Sequence, residues 1–341
     1  MGATVRDVAR LAGVSPKTVS NVVNDHPHVR PSTRARVQSA IDALGYRPNV
    51  SAQGLRSGRT GVIGLAIPAL RENYFAELAD SVIRAAERHG LGVLVEQTNG
   101  DRETELVAVS GGRRRLTDGL LLSPVGLGQR DAHLLHVSFP LVLLGERIFG
   151  GPTDHVTMHN TSAAEAAVAH LLEIGRRRIA VIGASDADPE DTSSASLRVR
   201  GYRRALEAAG VAFDPDLVRT SRSWSREAGA AATRALVADG TPFDAIFALN
   251  DTLGLGVLRA LGEERLRVPE DVAVIGFDNI EEARFAVPSL SSVDTGRDEI
   301  ASVAVDLLVE RIAAKGGVRP PRMVKPDFAV VQRESTVRTE R

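Results

Sequence analysis

The sequence predicts a small all-α headpiece followed by a larger, two-lobed, doubly wound α/β core. Three observations carry this. Residues 4–46 place apolar side chains at helical spacing between clear turn signals. From Gly61 onward, short apolar runs alternate with helical patterns in two series of similar size. Charge divides at the same place: residues 1–60 hold nine Arg or Lys against three Asp, a balance of +6, so the rest of a chain of net charge −1 carries −7. At 341 residues the chain suits two or three domains.

In the head, Thr4 and Asp7 spell a variant capping box, and Val5, Val8, Ala9 and Ala12 line one helical face. Gly13 turns the chain. Ser15 is a good N-cap and Pro16 suits the first position of a second helix, which buries Val19, Val22 and Val23 and leaves Lys17, Thr18 and Asn21 outward. This is a helix-turn-helix pattern, and its outward face can meet base edges in the major groove, Lys to guanine and Asn to adenine. A solvated face on an ordinary helical hairpin is the alternative. A third helix follows Val29, with Val37, Ile41 and Leu44 inward and Gly45 as its stop. Residues 47–60 then read as a linker in which Asn49 can cap one short helix to about Arg56. Carrying Gly54, that helix should be marginal alone in water.

The first core series has strands at Val62–Ile67, Val93–Glu96, Gly119–Leu122 and Leu141–Leu144, with a helix over Phe75–His89. A weaker strand, His155–Met158, precedes Asn160-Thr161-Ser162, which can cap a helix running to Ile174. The second series has strands at Ile179–Gly183, Ala245–Leu249 and Val272–Gly276, with helices at about 198–209, 226–238 and 252–262. Open α/β sheets place ligands beyond the carboxyl ends of their strands, and several polar or aromatic residues fall there.

Other function classes find little support. There is no Walker loop, no strand followed by Gly-x-Gly-x-x-Gly, no His-Glu-x-x-His and no Gly-x-Ser-x-Gly, so an enzyme is not indicated. The eight histidines lack paired zinc spacing, and no cofactor or metal is implied. Arg176-Arg177-Arg178 reads as a solvated turn. The absence of cysteine excludes disulfides, and no run approaches the ~18 apolar residues of a membrane span, which together suggest a cytoplasmic protein with no membrane partner.

Residues 4–60 resemble the DNA-binding region of the LacI/GalR family of transcription regulators. The matching signatures are Asp7-Val8-Ala9, Ala12-Gly13-Val14-Ser15, Thr18-Val19-Ser20, Val22 to Asn24, Gly45-Tyr46 with Pro48-Asn49, and Leu55 before Ser57-Gly58-Arg59-Thr60. The resemblance implies operator contacts from Thr4, Ser15, Pro16, Lys17, Thr18, Ser20, Asn21, Asn24, Asn49, Ala52, Leu55 and Arg56. It also implies a hinge helix that folds only on DNA, with Leu55 of each subunit wedged into the minor groove.

By the same resemblance the core is similar to periplasmic sugar-binding proteins. The first lobe would span about 61–159 and 293–320, and the second about 160–292 and 321–333, leaving 334–341 as a polar tail; 1–46 is the headpiece and 47–60 the hinge. Ser291 to Thr295 would cross between lobes and 296–315 return as a helix. Tyr74, Phe75, Arg198, Trp224, Asn250 and Asp278 match effector-gripping positions. Their chemistry suits a small sugar: carboxylate and amide bind vicinal hydroxyls, Arg forks across two, and an aromatic plane covers the ring face. Each also has a plainer reading, as turn, helix cap, surface charge or core aromatic.

Head, hinge and core together predict a ligand-responsive repressor that binds a palindromic operator as a homodimer. A purine-type effector, or a sugar-binding module with a non-functional head, are the alternatives. No leucine-heptad tail follows Arg333, which favours a dimer over a tetramer. Three departures stand out: His159-Asn160 where the family commonly carries Asp-Asn, Gly54 in the hinge, and Pro16 where relatives place a base-reading side chain.

Overall fold

The computed structural model describes residues 3–23, 26–46, 59–110, 115–185, 191–314 and 319–337. They form two compact units that divide in sequence after Gly61. No described helix is long and apolar enough to cross a membrane.

The first unit is three helices, α1 (Val5–Ala12), α2 (Pro16–Val23) and α3 (Pro31–Leu44). The Thr4/Asp7 capping box forms: Thr4 Oγ1 accepts the Asp7 N–H at 3.3 Å, and Asp7 Oδ2 accepts the Thr4 N–H at 3.0 Å. Ser15 Oγ likewise accepts the Thr18 N–H at 3.1 Å and opens α2. Gly13 and Gly45 end α1 and α3 in left-handed geometry, at φ 63° and 56°, which a side chain would strain. Val8, Ala9, Ala12, Val19, Val22, Val37 and Ala40 close the core. Leu44, expected inward, is 37% exposed; Val37 and Ala40 form the buried stripe of α3, with Ile41 and the following Tyr46 packed partly against it.

The second unit holds two parallel sheets. The first lobe uses β1 (Val62–Ile67), β2 (Gly92–Gln97), β3 (Leu120–Leu122), β4 (Leu141–Leu144) and β5 (Asp154–Val156). Its helices include α4 (Asn73–Glu87) and α5 (Arg102–Ser110). The second lobe uses β6 (Ile179–Ala184), β7 (Val218–Thr220), β8 (Ala245–Ala248) and β9 (Ala273–Ile275), in the order β7-β6-β8-β9. Two helix pairs pack on it: α6 (Asn160–Glu173) with α7 (Ser194–Ala208), and α8 (Arg226–Ala238) with α9 (Asp251–Glu263). The short α10 (Glu281–Phe285) follows β9. The central strands of both sheets are apolar and fully buried, as parallel strands covered on both faces require.

After β10 (Ser292–Asp294), helix α11 (Arg297–Ala313) returns to the first lobe and packs on α4. The remaining chain corrects the expected partition. β11 (Met323–Val324) pairs in parallel with β5, extending the first sheet to β11-β5-β4-β3-β1-β2, so this part of 321–333 belongs to the first lobe. Only β12 (Ala329–Val331) turns away, pairing antiparallel with β10. Nor is the segment after 333 simply a polar tail. Ser335 and Thr336 are buried, and the Val274 N–H bonds the Ser335 carbonyl at 2.9 Å while Ser335 Oγ donates to the Val274 carbonyl at 2.6 Å. β9 ends its sheet, and these groups, together with the Ser291 carbonyl that accepts the Gly276 N–H at 2.8 Å, satisfy its outer edge.

Candidate functional site: a cleft between lobes and an exposed helix face

Both sheets point the carboxyl ends of their strands toward a cavity of about 100 Å³ between the lobes. Tyr74 and Phe75 reach it from the start of α4 after β1, and Ser123 and Pro124 follow β3; Glu146 follows β4. From the other lobe come Ser194 and Arg198 on α7, Trp224 after β7, Asn250 after β8 and Asp278 after β9. All six residues singled out in the core sequence therefore line one cavity.

Arg198 is 2% exposed and fully engaged. Its Nε donates to Asn160 Oδ1 at 2.8 Å, Nη1 donates to the Leu249 carbonyl, and Nη2 lies 3.5 Å from Asp278 Oδ1. The guanidinium carbon stands 3.6 Å from the centre of the Phe277 ring and 5.3 Å from that of Trp224, so aromatic faces supply part of its stabilisation. Trp224 is in turn fixed by its Nε1–H, which donates to the Gly183 carbonyl at 3.0 Å.

Asp278 sits at φ 103°, followed by Asn279 at φ 51°. Two consecutive non-glycine residues in left-handed geometry are strained, and such strain persists only where surroundings over-determine it. Here they do. The Asp278 N–H bonds the Val293 carbonyl at 2.9 Å, its own carbonyl accepts Arg297 Nη1 at 3.1 Å, and Asn279 Nδ2 donates to Asp294 at 3.0 Å. Beneath, fully buried Asp251 accepts the Ile280 N–H at 2.9 Å and the Ser292 hydroxyl at 2.6 Å. Burial pushes the Asp278 carboxyl up, Arg198 and Arg297 pull it back, and the balance is about 6. Burial and the nearby Asp278 carboxylate hold Asp251 well above the usual carboxylate range. Burial also raises the Tyr74 hydroxyl, whose ring meets Phe75 edge-to-face at 5.3 Å.

Asn250 does two things: its Oδ1 caps α9 by accepting the Leu253 N–H at 2.8 Å, and its side chain borders the cavity. Asn160, expected only as a helix cap, is instead the first residue of α6, and its amide bridges Arg198 to Glu146 Oε2, the latter at 3.2 Å. His159 turns toward Phe328. Glu146, which no sequence motif singles out, also accepts the Ser194 hydroxyl from across the cleft. It brings back a carboxylate to a cleft that lacks the family's Asp before Asn160. A signal for it exists: a lone acid directly after the buried run Leu141–Leu144 and Gly145.

Polar contacts span the lobes at the rim. Arg147 Nη1 meets Asp191 at 2.8 Å, and Glu77 of α4, held within the first lobe by Arg297 at 2.5 Å, accepts the N–H of Glu281 from the other lobe at 2.9 Å. Such pairs can break and re-form as lobes open and close.

In the head, Thr4, Ser15, Pro16 and Lys17 are exposed, and Thr18, Ser20 and Asn21 half-buried. The Thr4 and Ser15 side chains are committed to helix caps, and Ser15 Oγ lies 2.9 Å from Thr18 Oγ1. Asn24, Asn49, Ala52, Leu55 and Arg56, and with them the hinge helix and its wedge, lie outside the described residues.

Comparison with known proteins accords with this pairing of head and cleft. Residues 4–49 match the family of bacterial regulatory proteins described as the lacI family, and residues 168–336 match a periplasmic binding protein-like domain. The ribose operon repressor of Escherichia coli K12 is 33% identical over 312 residues, covering 91% of this chain and 93% of that protein. The chain belongs to the LacI family. Another relative in these terms is the transcriptional repressor PurR of Histophilus somni strain 2336, 30% identical across 96% of this chain and 98% of its own length. Among solved structures, the lac repressor dimer bound to operator and the anti-inducer ONPF superposes with a TM-score of 0.84 at 26% identity, covering 99% of this chain and all of that one. As a LacI-family member the chain is a DNA-binding regulator that responds to a ligand, and not an enzyme.

Proposed function

We propose that this LacI-family protein is a dimeric repressor that grips a palindromic operator through paired headpieces and is controlled by a monosaccharide bound between its core lobes. The observation that carries the sugar is the character of the cavity: an aromatic pair on one side, and Arg198, Asn250, Asp278 and Glu146 converging from both lobes. Directional donors and acceptors around a small ring-sized space suit a polyol. The likeness to a ribose operon repressor points the same way. PurR, a transcriptional repressor at nearly equal identity, adds nothing for the sugar, and a purine-type ligand is the competing reading.

The mechanism couples two binding events. Ligand changes lobe closure, lobe closure changes how the two linkers leave a dimer, and operator affinity changes by the same factor as ligand affinity does when operator is bound. Base readout would rest on Lys17 and Asn21.

Titration of Trp224 fluorescence with pentoses, hexoses, disaccharides and purines tests the effector, because the single tryptophan borders the cavity. Saturation with one monosaccharide, lost in Asp278→Ala, is the expected result. Saturation with a purine alone would replace the sugar. Selection from random duplexes tests the head: the wild-type protein should enrich a two-fold site, and enrichment of none would leave only a sugar-binding module.

A further inference from the structure

We infer that Glu105, a residue of α5 outside the cavity, is a positioning residue that fixes the first-lobe wall of the cleft formed by Ser123, Pro124 and Val125; the inference rests on the effector reading above. Glu105 is fully buried. A buried carboxylate is rare unless its oxygens are satisfied, and these are satisfied by three consecutive backbone donors. Oε1 accepts the N–H of Val125 at 2.8 Å and of Gly126 at 3.0 Å, and Oε2 accepts the N–H of Leu127 at 2.7 Å. Three backbone donors converging on the two oxygens of one side chain define a loop's path closely.

The loop so held is the one that matters to the cavity. Its start is tied to the sheet, where the Ser123 N–H bonds the Ala66 carbonyl at 2.9 Å. Its end is tied back to α5: the Gly128 N–H bonds Asp131, whose carboxylate is gripped by Arg102 at 2.6 and 3.0 Å. Between these ties the backbone of Gly126 presses against the start of α5. A Cβ at Gly126 would fall 2.5 Å from the Arg102 nitrogen and 2.7 Å from the Gly100 carbonyl oxygen. Ser123 and Val125 therefore face a ligand from a backbone held by the Glu105 carboxylate on one side and by steric contact on the other. Pre-ordering of this kind raises affinity by removing the entropy a mobile wall would lose on binding.

Two substitutions disturb the wall independently. Glu105→Gln keeps the shape of the side chain but has only one acceptor oxygen, so at least one of the three N–H groups meets an amide donor. Gly126→Ala leaves the carboxylate intact and forces the backbone off α5. Val107→Ala, at an exposed position of the same helix, is the control.

The experiment is calorimetric titration of the full-length protein with D-ribose, D-xylose, D-galactose and D-glucose. Both wall variants should bind the preferred sugar on the order of tenfold more weakly and should change the ratio of affinities among the sugars, with operator affinity in the absence of sugar unchanged. A merely structural role lowers every affinity by one common factor, and that result, or affinities within twofold of wild type, would overturn the inference. Failure of the wild type to bind any of the four would instead overturn the sugar reading beneath it.

Discussion

Arg198 and Asp278 face each other at 3.5 Å, Nη2 to Oδ1, with both side chains almost sealed from water. The separation is long for a direct hydrogen bond. Burial pushes the Asp278 carboxyl up, and Arg198, committed more tightly to Asn160 and the Leu249 carbonyl, pulls it only part of the way back with Arg297, to about 6.

Protonation of Asp278 should be measurable in stability. Its carboxyl is raised to about 6 in the folded state from 3.8 in a free chain. The folded state therefore holds the proton more tightly, and this group's stabilisation is complete below about pH 4 and is lost as pH rises to 6. The stability difference between wild type and Asp278→Asn, followed by urea unfolding, should shift by about 3 kcal/mol across that window in favour of wild type at the acid end. A sugar whose hydroxyls donate to the ionised carboxylate should bind about tenfold more weakly at pH 5 than at pH 7. A flat profile would remove Asp278 from the ligand.

The opposite sign applies to Asp154. Burial alone would raise its carboxyl, but hydrogen bonds from Arg311 at 2.8 and 2.9 Å and from Arg322 hold it at about 2. Its contribution is present above about pH 4 and disappears as pH falls toward 2. Asp154→Asn should destabilise the core by about 3 kcal/mol at neutral pH, the low end for a broken buried pair because Arg322 is 41% exposed. The same variant should show a shallower acid limb, read by circular dichroism.

Helices α8 and α9 interlock through glycine. A Cβ at Gly256 would fall 1.9 Å from the Arg226 carbonyl oxygen, and one at Gly229 would fall 2.2 Å from that of Leu253. Gly256→Ala should cost about 1–3 kcal/mol in denaturant unfolding through overpacking. Gly262→Ala, on the same helix with nothing within 4 Å, should be neutral or stabilise by up to about 1 kcal/mol. Equal effects would argue against the close approach.

In the head, Lys17→Ala should relax base discrimination at one symmetric pair of operator positions by about 1–3 kcal/mol, as read from binding to single-base operator variants. Ser15→Ala removes a cap and should lower headpiece stability by about 1 kcal/mol without altering which bases are preferred. Loss of affinity uniform across sequences in Lys17→Ala would place the lysine on a phosphate.

The sequence by itself determined a good deal. Capping box, turn glycine and N-cap fix the helix-turn-helix, since each acts over three or four residues. The two βα series are legible in apolar runs that only buried parallel strands need. The three-residue β7 and the helix α5 are not legible in this way, the one being short and half-exposed, the other weakly amphipathic. Strand ends carry function in such sheets, and the family resemblance picks out Tyr74, Phe75, Arg198, Trp224, Asn250 and Asp278 from the sequence as the residues that grip an effector.

What only the tertiary structure decided depends on contacts far apart in the chain. No local signal says that Met323 and Val324 join β5 across more than a hundred and sixty residues, or that Ser335 completes the edge of β9. Glu146 becomes a cleft residue only because Asn160 and Ser194 come to it, and Glu105 holds the loop after β3 only because α5 folds beneath it. Periodicity and capping energies act within a few residues of the chain, whereas partners for buried polar groups come from wherever packing brings them.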